Sequence, residues 1–205
     1  MDLLDRFLEL SLSEALPTTF PVFPLDRVIL PRGILLPLHI FEERYLKMLA
    51  HVREEGRHIG MALPLEGRSV AEEWAPPIHP ILGLGRLVKL QENRDGTLDI
   101  VLEGVARMEI LEELPSLQPF RMVRARELPD IPAEENLFPR IEKLLLRFQA
   151  IEESEIPKLR SLDPAGLIDR IMLGAPLGFQ EKQNIFAEPE VLRRLQLLEN
   201  LLTRS

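Results

Sequence analysis

Cysteine is absent from all 205 residues. A disulfide framework, a thiolate nucleophile and a thiolate metal site are thereby excluded, and a reducing, cytoplasmic setting is the expectation. Basic residues are lacking where a secretory leader would need them. The chain opens Met1-Asp2-Leu3-Leu4-Asp5-Arg6, and Glu9 and Glu14 interrupt the apolar stretch that follows. Long apolar runs are lacking too: the one around Gly33 to Phe41 is far short of the roughly 20 residues a spanning helix requires. No membrane crossing is expected.

Catalytic and cofactor motifs are equally scarce. No segment has the form G-x-x-x-x-G-K-[ST], the loop whose amides and lysine cradle phosphate, so ATP hydrolysis by that route is excluded. Gly83-Leu84-Gly85 supplies two glycines of a dinucleotide fingerprint without the third, and it sits in a β-rich stretch. Gly67-Arg68-Ser69-Val70-Ala71 approaches a nucleophile elbow but lacks the strand and helix that would strain and expose its serine. The histidines, His39, His51, His58 and His79, show neither an i, i+4 pair nor H-E-x-x-H, so no zinc site is expected. Neighbouring acids such as Glu112 and Glu113 point apart on any regular element and read as solvated faces. No cofactor is expected.

The formal net charge is -8, and no basic arm offsets it: residues 131–205 hold ten Lys and Arg against twelve Asp and Glu. Scattered bases on an acidic chain disfavour nucleic acid. With 45% hydrophobic and 28% charged residues, the composition is that of an ordinary globular protein able to bury a core.

Periodicity divides the chain into three parts: an amino-terminal helix within 1–19, a β-rich subdomain over 20–130 and a helical subdomain over 131–205. Leu4, Phe7, Leu8 and Leu12 have helical spacing, ended by Pro17. Phe20 to Leu25 and Ile34 to Leu38 read as strands whose prolines at 21, 24, 31 and 37 suit edges or bends. Glu42 to Gly56 reads as a helix with Tyr45, Met48, Leu49 and Val52 on its apolar side. Ile59 to Leu63 reads as a strand, and Ser69 to Pro80 as a loop. Gly85–Gln91, Thr97–Glu103, Ala106–Leu111 and Arg121–Glu127 then read as an antiparallel meander with an Asp95-Gly96 hairpin turn. Beyond Pro132, Ile141, Leu144, Leu145 and Phe148 form one helical stripe. Asp163-Pro164 reads as a cap followed by the first helical residue. Pro189 to Leu202 carries Leu192, Leu195, Leu198 and Leu202 on one face, which has to pack on something.

The stretch from Phe20 to Tyr45, with Pro21-Val22-Phe23-Pro24-Leu25 and then Pro37-Leu38-His39-Ile40-Phe41-Glu42-Glu43-Arg44-Tyr45, resembles the opening of the amino-terminal domain of Lon-type proteases. Gly85 to Leu90, the Asp95-Gly96 turn, Leu102 to Met108 and Pro119-Phe120 follow in the order of that family's meander. Glu181 to Glu188 and Arg194-Leu195 resemble its helical part. Met108 departs from the pattern, which has an aromatic after the arginine. The resemblance covers about residues 20–203. It implies an α+β fold: a bent antiparallel β-sheet pseudo-barrel, PUA-like in shape, followed by an α-helical subdomain. It also implies a non-catalytic module that binds exposed or unfolded polypeptide segments, without the ATPase and protease of Lon. An adaptor in protein quality control serving a separate ATP-dependent protease fits that reading, and a homodimer through the terminal helices stays open.

Binding candidates are Trp74, an aromatic in a proline-bounded loop, together with His39, Phe41, Arg44, Tyr45 and Arg107. Arg44 and Arg107 also suit ion pairs tying helix to sheet, and His39 suits a hydrogen bond to backbone. An extended peptide could add to a free edge among the strands near residues 20–38. The alternatives are an enzyme with an unrecognised small-molecule pocket and, less favoured, a PUA-like RNA-binding module.

Overall fold

A computed structural model describes residues 16–54, 56–71, 75–147 and 163–204. Its strands are β1 (Thr19–Pro24), β2 (Leu35–Ile40), β3 (His58–Ala62), β4 (Ile81–Glu92), β5 (Leu98–Leu114) and β6 (Arg121–Glu127). Its helices are α1 (Glu43–Glu54), α2 (Phe138–Arg147), α3 (Pro164–Gly174), α4 (Phe179–Ala187) and α5 (Val191–Arg204). The amino-terminal helix expected within residues 2–13 and the stripe position Phe148 lie outside the described residues.

The sheet runs β2-β5-β4-β3-β1-β6, and β6 pairs back onto β5. Thus β1, β3, β4, β5 and β6 close a bent ring, and β2 hangs on the first half of β5. Alternate residues of all these ring strands meet inside it: Phe20 and Val22, Ala62, Leu82 and Leu84, Ala106 and Met108, Val123 and Ala125. Period-two alternation puts them on one side, and the alanines fit the narrow interior. Met108 is fully engaged in that packing, so the family's missing aromatic leaves no polar substitute.

One pairing corrects the all-antiparallel expectation. β1 lies parallel to β3, with Val22 opposite Gly60. Their connection passes through β2 and α1, the long crossover that parallel neighbours require. A second correction concerns Thr97–Glu103 and Ala106–Leu111, which form the single strand β5. The register against β4 shifts where Ala106 and Gly104 face Leu84 and Gly85, so a bulge bends the strand without ending it. Its first half pairs with β2 and its second with β6.

Glycine is required at that bend. A Cβ on Gly104 would stand 2.0 Å from the carbonyl oxygen of Pro31, and one on Gly83 would stand 2.0 Å from that of Leu30. The segment before β2 therefore lies directly across β4 and β5, fixed by Gly33 N–H to Gly104 O at 2.8 Å and Gly104 N–H to Ile34 O at 2.9 Å. The two glycines of the dinucleotide-like Gly83-Leu84-Gly85 are accounted for by this close packing.

On the outer face, α1 buries Tyr45, Met48, Leu49 and Val52 against Phe23, Ile59, Leu87 and Ile100. The expected start and stop of this helix differ from the observed ones by one or two residues, and Gly56 follows its end with a φ of +104°. Beyond the ring, α2, α3, α4 and α5 share a third core around Ile141, Ile168, Phe186 and Leu195. Asp163 caps α3 through the Ala165 and Gly166 amides, with Pro164 as its first residue, as the sequence suggested. The apolar face of α5 packs on α3 and α4.

The ring and the helices meet along a polar seam. Gln183 Nε2 donates to Ile81 O at 2.7 Å, and Gln180 Nε2 donates to Pro64 O at 3.1 Å. Ile131 exchanges backbone bonds with Pro189 and Val191. Among the described residues, no helix is long and apolar enough to cross a membrane.

Candidate functional site

The margin of β2 comes first because it pairs only with β5 among the described strands. Ile34 O accepts from Gly104 on β5, so alternation turns the backbone of Leu36, Leu38 and Ile40 inward and that of Leu35, Pro37 and His39 outward. Pro37 thus sits where no inward N–H is needed, and it interrupts the outward row. β1, the other proline-bearing strand, is flanked by β3 and β6 and offers no edge. A continuous added strand is therefore poorly served, and side chains dominate this surface.

Those side chains are apolar and exposed. Leu35 is 62% and Phe41 67% accessible. The Phe41 ring lies 6.1 Å from that of His39. His39 Nδ1 is 2.7 Å from Asp99 Oδ1, not bonded to backbone as expected. That bond, with a second from Asn93, holds the Asp99 carboxyl below its ordinary pKa. Pro37, Leu38, His39, Lys89 and Val101 line a groove of about 350 Å³ beside them.

A cleft of about 200 Å³ opens at the start of α1, walled by Arg44, Tyr45, Phe120 and Arg121. Tyr45 stacks on Phe23 at 4.0 Å between centroids, and the Arg44 guanidinium lies 4.5 Å from the Tyr45 ring. Arg44 Nε donates to Glu42 at 3.1 Å, a bond that fixes the entry to its own helix. Arg121 forks onto Glu113 at 2.7 and 2.6 Å and donates to Pro76 O at 2.7 Å. Burial pushes the Tyr45 hydroxyl up to about 12, against the opposing charge of Arg44. It stays a neutral phenol at physiological pH, which suits hydrogen bonding and not general-base chemistry.

Arg107 lies elsewhere, at the seam. Its Nη1 donates to Asp130 at 2.8 Å, and its guanidinium lies 5.0 Å from the Phe186 ring of α4. Arg194, fully buried on α5, donates to Asp130 and, at 3.2 Å, to Asp169 on α3. Arg107 therefore ties the sheet to the helical part and not to α1. Burial pushes Asp169 up to about 6 even though Arg194 and Arg107 pull it down.

The sequence candidates thus fall in three places: His39 with Phe41, Arg44 with Tyr45, and Arg107 at the seam. Trp74 lies outside the described residues. Phe120, Arg121, Asp130, Asp169 and Arg194 were missed as site residues. Phe120 and Arg194 stood within motifs of the resemblance, but nothing in one sequence pairs Arg194 with acids 64 and 25 positions away.

Among the described residues, no catalytic constellation joins these groups. Ser69 Oγ donates to Asp26 at 2.6 Å and closes a loop. His51 contacts Phe120, His58 the Gly56 carbonyl and His79 Gln180, each in a different place. No cluster of three or more metal-ligating side chains occurs among the described residues. The paired acids of β5 are spent on a surface ladder with β6, Glu109 on Arg126, Glu112 on Arg124 and Glu113 on Arg121.

Similarity to known proteins extends over most of the chain. Lon protease of Dictyoglomus thermophilum is 25% identical over 207 residues, covering 96% of this chain and 26% of its own length. Lon protease of Heliobacterium modesticaldum is 27% identical over 194 residues, covering 90% of this chain and 24% of its own. The chain thus spans about a quarter of the length of these curated relatives. The crystal structure of a Lon N-terminal domain protein from Xanthomonas campestris superposes with a TM-score of 0.68 at 22% identity, over 91% of this chain and 98% of that one. The N-terminal domain of Mycobacterium avium complex Lon protease gives 0.67 at 19%, over 89% and 96%. These likenesses establish the fold. The profile of the ATP-dependent protease La (LON) substrate-binding domain matches residues 19–204, and the chain belongs to that family.

Proposed function

We propose that this chain is a non-catalytic module that binds exposed or unfolded polypeptide segments in the cytoplasm and presents them to an ATP-dependent protease. The family match over residues 19–204 carries the reading. The geometry supports it: a proline-interrupted strand margin with exposed Leu35 and Phe41 accepts varied apolar side chains without demanding one backbone register. The Arg44, Tyr45 and Arg121 cleft adds donors that can meet the carbonyls of an extended chain. The net charge of -8 argues against RNA as the ligand.

The test is fluorescence anisotropy of a labelled, permanently unfolded polypeptide titrated with this chain, alongside the same polypeptide folded and a labelled RNA. Saturable binding confined to the unfolded polypeptide is expected. Equal binding to folded and unfolded forms, or preference for RNA, overturns the proposal.

A further inference from the structure

A cleft larger than those at β2 and α1 lies at the seam between ring and helices, with a volume of about 390 Å³. Leu128, Leu137, Phe186 and Val191 supply apolar wall, and Arg107 and Asp130 supply the polar floor. Arg107 is only 7% accessible, and its one side-chain hydrogen bond among the described residues goes from Nη1 to Asp130. Its Nε is buried without an acceptor among the described residues. A guanidinium so sparsely satisfied is costly unless something completes its shell.

The charges around the cleft select the kind of ligand. Asp130 already accepts from Arg107 and Arg194, Glu135 from Arg140, and Asp163 from the amides that open α3. Asp169 accepts from Arg194 at 3.2 Å. With Glu127 these carboxylates would repel an acidic ligand, and Arg32 and Arg107 would repel a basic one, so a strong charge of either sign is disfavoured. A neutral acceptor beside an apolar group fits both the wall and the floor.

We propose that the seam cleft is a second contact for bound polypeptide, taking one uncharged apolar side chain, with Arg107 donating to a neighbouring backbone carbonyl of the same segment. This rests on the polypeptide-binding reading and specifies its chemistry: segments mixing apolar and uncharged residues bind here, and acidic ones do not. It gives the chain two grips, at β2 with α1 and at the seam, so that an extended segment engages better than a short one.

The experiment uses the full chain and two readouts. Methyl NMR of Leu128, Leu137 and Val191 is followed as an unlabelled, permanently unfolded polypeptide is added, and anisotropy is repeated with the cleft-filling variant Ala133→Trp and with Arg107→Lys. A thermal melt checks the folding of each variant. Shifts of the seam methyls, with about ten-fold weaker binding by folded Ala133→Trp, are expected. Binding by the wild type with unmoved seam methyls and unchanged Ala133→Trp affinity overturns the seam contact while leaving the general reading intact. Failure of the wild type to bind at all overturns both.

Discussion

Arg107 and Arg194 come from opposite parts of the fold, β5 and α5, and donate to the same oxygen of Asp130. With Asp169 on α3, the group fastens the sheet to the helices at the cleft between them. Arg194 has no accessible surface, whereas the β5–β6 ladder, such as Glu112 with Arg124, faces solvent. Screening leaves the ladder little influence on stability, whereas the buried group joins the two parts together with the Gln180, Gln183 and Ile131 bonds.

Removing its central cation strands Asp169 and leaves Asp130 to Arg107 alone. Arg194→Met is expected to cost about 3–5 kcal/mol in urea unfolding, and Arg194→Lys to recover only part of that because a lysine cannot fork to both acids. A loss under about 1 kcal/mol for Arg194→Met would contradict the role assigned to the group.

Asp169 makes stability depend on pH in an uncommon direction. Its folded pKa, about 6, is raised above its ordinary value of 3.8, so the folded chain holds this proton more tightly than the unfolded one. Its stabilising contribution is full below the unfolded value and is lost as pH rises through the folded one. The stability difference between wild type and Asp169→Asn should therefore shift in favour of wild type as pH falls from about 7.5 to about 4.5. Denaturant melts across that window check it. Asp130 acts oppositely: burial would raise it, but the Arg194 hydrogen bond and both guanidinium charges hold it below its ordinary value. Its contribution is lost only in stronger acid, below the unfolded carboxylate range.

Gly104→Ala would press a methyl to 2.0 Å from the Pro31 carbonyl oxygen at the bend of β5. Overpacking of this kind costs about 1–3 kcal/mol, read as a lowered melting temperature. Because that carbonyl belongs to the segment leading into β2, amide signals of Leu35 to Ile40 should move as well.

Phe41 offers the opposite test. At 67% accessibility it contributes little to the core, so Phe41→Ala should stay within about 0.5 kcal/mol of wild-type stability. Its affinity for unfolded polypeptide should fall about five-fold or more. Unchanged affinity would remove Phe41 from the contact surface.

Much of this fold was legible because local chemistry and tertiary role agreed. Tyr45, Met48, Leu49 and Val52 sit on the predicted face of α1, and Asp163 caps α3 as its type and place suggested. The Asp95-Gly96 turn is closed by Asn93 N–H to Thr97 O at 2.9 Å. What escaped was relational. The two halves of β5 looked separate because Gly104 reads as a break, and only the carbonyl pressed against it explains a continuous bent strand. The parallel β1–β3 pair has no local signature. His39 could not be assigned to Asp99, 60 residues away, nor Arg107 to the helical side of the molecule, because one sequence carries no pairing information.

The central claim is that the β2 margin and the start of α1 receive polypeptide, and hydrogen–deuterium exchange of the whole chain with and without a saturating, permanently unfolded polypeptide tests it most directly. Slowed exchange over Leu35 to Tyr45 and around Phe120 and Arg121, with the outer face of the β5–β6 ladder unchanged, is the predicted result. Exchange unaltered at both places under saturating conditions, or protection confined to the ladder, would contradict it.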